Sequence, residues 1–194
     1  MRICFATNNK NKLIEIKKKL GEAYDIISLF DLGHTEELAE TQDTLEGNSL
    51  EKALFIHEKY QINCFADDTG LLVDALDGEP GVNSARYAGS GKSSDDNMNL
   101  LLEKLRGHTN RKAKFNTIIT LMINGKAHQF AGEVEGVITN ERSGVNGFGY
   151  DPIFIPNGWK ETFAELDLEE KNKISHRSKA VEKLVDFLNK SDHK

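Results

Sequence analysis

The chain has 194 residues, 38% of them hydrophobic and 29% charged, with a formal charge of −6. That length can bury a substantial core as one domain over residues 1–194, and the acidic balance argues against a nucleic-acid binder. The first residues hold about five apolar side chains, too few for a signal-peptide core. No run approaches the roughly 20 of a membrane span, so a cytoplasmic protein is expected.

In chain order, Arg2–Ala6 reads as a short buried strand ended by a turn at Thr7–Asn11. A helix follows with Leu13, Ile16 and Leu20 on one face and Gly21 as its stop. Asp25–Leu29 is a second strand, and residues 31–43 form an acidic loop without apolar periodicity. Thr44 caps a helix running to about Tyr60. Cys64–Ala66 is a strand running into the turn-like sequence Asp67-Asp68-Thr69-Gly70, and residues 71–76 are apolar again. A glycine-dense loop over residues 78–91 precedes a helix at Asp95–Leu105. Lys112–Ile123 and Lys126–Ile138 are strands joined at Asn124-Gly125, the strongest short-range hairpin cue. A glycine-punctuated loop then reaches Asp151, Pro152–Ile155 is a brief strand, and Asp167 and Ser175 cap two closing helices. The mixture predicts an α/β fold with a mixed twisted sheet flanked by helices.

Cys4 and Cys64 lie in apolar strands, far from any pairing pattern, and read as buried thiols. Gly89-Ser90-Gly91-Lys92-Ser93 ends like a P-loop, but Arg86 stands where that pattern needs a glycine, so it reads as a flexible loop. Thr7, Asn8, Asn9, Lys10, Asn11 and Lys12 sit at a strand-to-helix junction, where free N–H groups and the helix dipole attract an anion. A plain helix cap with solvated lysines explains the same residues. Adjacent carboxylates at Asp67 and Asp68 point in different directions, so one can take a metal while the other supports the loop; turn chemistry alone also accounts for them. Glu36, Glu37 and Glu40 are each able to add a second carboxylate, and spacing does not choose among them. Gly147-Phe148-Gly149-Tyr150-Asp151 alternates glycine with aromatics, as a flat ligand or a tight core loop would require. Ser175-His176-Arg177 opens the last helix, and no histidine spacing suggests zinc.

Together these segments resemble the inosine/xanthosine triphosphate pyrophosphatase family. The resemblance is carried by Thr7-x-Asn9-x-x-Lys12, Glu40-Thr41, Thr44–Asn48, Lys52-Ala53, Ala66–Gly70, Pro80-Gly81, Ser84–Tyr87, Gly147–Pro152 and Ser175–Arg177, in that order along nearly the whole chain. Many relatives have serine where this chain has Thr69.

The resemblance implies an elongated mixed sheet with two lobes around a central cleft, and a homodimer. It implies Mg2+-dependent hydrolysis of ITP, dITP and XTP to the monophosphate and pyrophosphate. Asp68 is then the general base and a metal carboxylate, and Glu40 is the second metal carboxylate. The Thr7–Lys12 turn, Lys52 and Lys171 hold the polyphosphate, with Thr69 nearby. Phe148 and Tyr150 stack on or wall the base, Gly149 and Asp151 belong to the same substrate-binding segment, and donors from His176 or Arg177 read the 6-keto oxygen, which adenine lacks. Two other readings are a Maf-like pyrophosphatase for modified pyrimidine or methylated nucleotides, and a nucleotide-binding module without turnover.

Overall fold

The computed structural model describes residues 1–21, 24–91 and 93–191. Seven strands form one mixed sheet: β1 (Arg2–Phe5), β2 (Asp25–Ser28), β3 (Cys64–Val73), β4 (Pro80–Gly81), β5 (Lys112–Ile123), β6 (Lys126–Ile138) and β7 (Phe154–Pro156). Their order is β2-β1-β3-β5-β6-β7, with β4 paired to β3. β1 runs parallel to both β2 and β3, whereas β3/β4 and β6/β7 are antiparallel. Among the described residues five α-helices accompany the sheet: α1 (Lys10–Leu20), α2 (Leu45–Tyr60), α3 (Ser94–Lys104), α4 (Leu168–Ile174) and α5 (His176–Ser191). The expected hairpin is present, with Asn124 at φ 50° and Gly125 at φ 72°, the left-handed pair that a two-residue turn between twisted strands requires.

One expected boundary moves. β3 does not stop at Ala66; it continues through Asp67, Asp68, Thr69 and Gly70 to Val73. Asp-Asp-Thr-Gly has the composition of a turn, but each aspartate has a buried partner from a distant segment, and that pairing overrides the local preference.

The chain divides into two compact units. The first comprises residues 1–68, 117–132 and 177–194, the second residues 69–116 and 133–176. In the first unit the period-two alternation of strand side chains sorts two cores. Ile3 and Phe5, Phe65, and Ile119 and Leu121 pack with Ile16 and Leu20 of α1 and Val181, Leu184 and Leu188 of α5. The intervening Cys4, Ala6, Cys64, Ala66 and Met122 pack with Ala53 and Ile56 of α2 and with Leu29. Cys4 and Cys64, in register on adjacent strands, are free buried thiols whose pKa burial pushes up to about 12. In the second unit Met98, Leu101 and Leu105 bury against Leu71, Val73, Phe115, Val134 and Ile138, closed by Phe154 and Phe163. No helix among the described residues is long and apolar enough to cross a membrane.

Candidate active site

The same alternation sends Asp67 and Asp68 to opposite faces of β3, each to its own partners. Asp67 accepts from Lys12 Nζ at 2.9 Å on α1 and from Arg177 Nε at 3.2 Å on α5. Arg177 in turn donates to Glu15 Oε2 at 2.5 Å. Asp67, Arg177 and Glu15 are buried. Burial raises the Asp67 pKa, but the charges of Lys12, Arg177 and Lys52 outweigh it and hold the carboxyl well below its usual range. Lys12 is pulled down, first by burial and then by Arg177 and Lys52, with Asp67 opposing. This aspartate is a fixed anion that orients two cations.

Asp68 faces α2. Its Oδ1 accepts from Lys52 Nζ at 3.2 Å and its Oδ2 from Asn48 Nδ2 at 3.1 Å. Lys52 Nζ also lies 2.8 Å from Glu40 Oε1, so one ammonium bridges the two carboxylates. Burial raises the Asp68 pKa and Glu40 adds to it; Lys52, Lys12 and Asn48 work against that rise without cancelling it. A raised pKa makes Asp68 the stronger base of the pair. Lys52 is held above its ordinary value: burial lowers it, and Asp68, Glu40 and Asp67 more than compensate. Of the three loop glutamates, Glu36 and Glu37 are exposed, and Glu40 is the one bonded to Lys52.

The Thr7–Lys12 turn is built as a cap. Asn9 is the N-cap of α1, and its Oδ1 accepts from the N–H groups of Asn11 and Lys12. Thr7 Oγ1 accepts from Asn9 N, and Asn8 Nδ2 donates to Glu36 O. Lys10 and Asn11 are exposed, and the first turn carries no acidic residue. A cap does not exclude an anion, because the helix dipole still favours negative charge at this end.

The second unit holds the other predicted residues. Asp151 is buried, and its Oδ2 accepts from Phe148 N and from Lys171 Nζ, both at 2.7 Å. Lys171 Nζ stands 4.9 Å from the centroid of the half-buried Phe148 ring. Gly147 has φ 75°, and a Cβ there would come within 2.1 Å of Asp151 Oδ2, so glycine is what lets this loop fold onto its aspartate. Gly149 also has positive φ, and Thr69 is half-buried. Tyr150 lies in the apolar core and donates its hydroxyl to Ser84 O at 2.8 Å; burial pushes its pKa up. His176 is buried and stacked on Phe115, centroids 4.6 Å apart. In the P-loop-like segment Ser93 caps α3, and Lys92 lies outside the described residues.

Asn48 and Glu15 had no assigned role in the sequence reading. Glu15 hides on an amphipathic helix among lysines. Asn48 left a signal: Gly47-Asn48-Ser49 places three weak helix formers inside one helix, a local inconsistency typical of functional positions.

The Ham1 family model matches residues 3–187. A dITP/XTP pyrophosphatase of Flavobacterium johnsoniae is 55% identical over 188 residues, covering 97% of this chain and 98% of that protein. One of Porphyromonas gingivalis is 50% identical, covering 96% and 97%. Among solved structures, the Staphylococcus aureus Ham1 protein superposes with a TM-score of 0.89 at 38% identity, covering 98% of this chain and 100% of that one. A nucleoside-triphosphatase / dITP/XTP pyrophosphatase from Mycobacterium abscessus gives a TM-score of 0.77 at 40% identity, covering 95% and 98%.

Proposed function

This chain belongs to the Ham1 family, and from that premise we propose that it hydrolyses dITP, ITP and XTP to the monophosphate and pyrophosphate. Water attacks the α-phosphorus, its proton passes to Asp68, the α–β P–O bond breaks, and pyrophosphate leaves with the electron pair. The observation carrying this reading is the Glu40–Lys52–Asp68 bridge, which gathers two carboxylates and a cation around a base with a raised pKa.

The donor set suits magnesium. No group of three acidic, histidine or cysteine side chains among the described residues forms a metal cage. Magnesium needs no such cage: it takes one or two carboxylates and fills the rest of its shell with water and substrate phosphate. Glu40 and Asp68 are the carboxylates assigned to it. When bound, the ion neutralises phosphate charge and acidifies water. Asp68 positions and deprotonates that water, and Lys52 offsets the charge of both carboxylates. Lys12 and the Thr7–Lys12 turn bind polyphosphate. Lys171 adds a further cation, and the ring of Phe148 is the surface assigned to the base. Asp67 fixes Lys12 and Arg177. A homodimer and a cytoplasmic location belong to the same reading.

The test is pyrophosphate release from ITP, dITP, XTP, ATP, GTP and dTTP, with magnesium and with a chelator. Fast release from the first three, lost in chelator and reduced by orders of magnitude in Asp68→Asn, is expected. Equal rates on ATP and ITP would sink the base preference, and chelator-insensitive turnover would remove the metal.

A further inference from the structure

Asn48 is wholly buried, four residues into α2, and its amide is satisfied at both ends. Nδ2 donates to Asp68 Oδ2 at 3.1 Å, and Oδ1 accepts from Gln42 N at 2.9 Å. Gln42 is two residues beyond Glu40. One planar amide therefore ties the strand carrying Asp68 to the loop carrying Glu40.

Lys52 follows one helical turn later on the same face and touches the side chains of Asp68 and Glu40. Its bonds go to Glu40 Oε1 and Asp68 Oδ1. Asn48 uses Asp68 Oδ2 and a backbone N–H instead, so its grip leaves Asp68 Oδ1 and the Glu40 carboxylate to other partners. The loop is also clamped next door: Thr41 donates from N and Oγ1 to Glu51 at 2.9 and 2.6 Å. A Cβ on Gly47 would meet Gln42 Cβ at 2.7 Å, so glycine lets the loop lie against the helix.

We propose that Asn48 is a positioning residue for the divalent cation: it orients the Asp68 carboxylate and holds the Glu40 segment beside it. The proposal rests on the reading of Asp68 and Glu40 as the metal carboxylates. An amide needed only to satisfy a buried loop would affect stability alone. A residue that orients metal ligands changes metal affinity and turnover, on the order of 10- to 100-fold for such supporting contacts.

The experiment uses the full chain with Mn2+ in place of magnesium, free ion being counted by electron paramagnetic resonance. Asn48→Ala is expected to weaken Mn2+ binding at least about tenfold and to lower kcat similarly at saturating metal, with KM for ITP within about threefold. A folded Asn48→Ala protein with wild-type Mn2+ affinity and kcat would overturn the proposal. Asn48→Asp is nearly isosteric, keeps the bond from Gln42 N, and replaces the donor to Asp68 with an acid. It supplies the test if the alanine variant does not fold: at least about a tenfold kcat loss is expected, and full turnover counts against the role. Wild-type protein that binds no Mn2+ overturns the metal reading itself. Normal wild-type binding with unchanged binding in Asn48→Ala overturns the role of Asn48 alone.

Discussion

Two neighbouring aspartates, one peptide bond apart, have pKa values shifted in opposite directions because strand geometry gives them different company. Asp67 is depressed, since Lys12, Arg177 and Lys52 outweigh its burial; the stability it confers is present above the ordinary carboxylate pKa and lost only as pH falls through its very low folded value. Asp68 is raised, with burial the largest cause. The folded protein keeps that proton where the unfolded chain has released it, so this contribution is lost as pH rises through the raised folded value. In neutral, chelator-treated buffer the ionised Asp68 is thus a load on the fold. Urea denaturation should find Asp68→Asn at least as stable as wild type near neutrality, the difference closing towards about pH 4, the ordinary carboxylate pKa. Asp67→Asn should be clearly less stable, and remain so into strong acid. Equal destabilisation by both substitutions would contradict the assignment of a base to one and a brace to the other. That a catalytic group is a stability liability is common, because the chemistry needs a charge the fold would rather neutralise.

At the scale of elements, α1 combines structural and functional demands on one residue. Asn9 caps the helix through two N–H bonds, so Asn9→Ala should cost about 1 kcal/mol of stability. Asn9→Asp separates the roles: a carboxylate caps at least as well and suits the helix dipole, yet it puts a negative charge at the proposed polyphosphate site. Thermal unfolding should therefore show a stable variant while its KM for ITP rises several-fold. Unchanged KM would move the phosphate site elsewhere. The caps at Thr44 and Asp167 and the Asn124-Gly125 turn were legible because their chemistry is local. β3 was not, because residues 67–70 have turn composition and their partners come from α1, α2 and α5. Tyr150 was ambiguous for a related reason. A tyrosine flanked by glycines suits a ligand wall as well as a core, and only the bond to Ser84 O, 66 residues away, places its hydroxyl.

Across the whole molecule, the order of motifs was enough to indicate the family and a mixed sheet with helices. The sequence did not show that the compact units are assembled from separated segments. Contacts such as Arg177 to Glu15, 162 residues apart, have no local signature. This interleaving has a testable consequence. The first unit depends on the final segment, from which Val181, Leu184 and Leu188 enter its core with accessibilities of 1%. Burying each such side chain contributes roughly 1.5–3 kcal/mol, which together rivals the whole stability of about 5–15 kcal/mol typical of a folded protein. Removing α5 also takes Arg177 from the buried Asp67 and Glu15, leaving two carboxylates short of a cation. A fragment of residues 1–175 retains all seven strands and every proposed metal carboxylate, yet it should not fold. Far-ultraviolet circular dichroism without a cooperative thermal transition is the expected result, and a synthetic peptide covering residues 176–191 should restore structure by supplying the missing face. A fragment that unfolds cooperatively on its own would mean that α1 and the sheet close this core without α5, and that Asp67 keeps its charge on Lys12 alone.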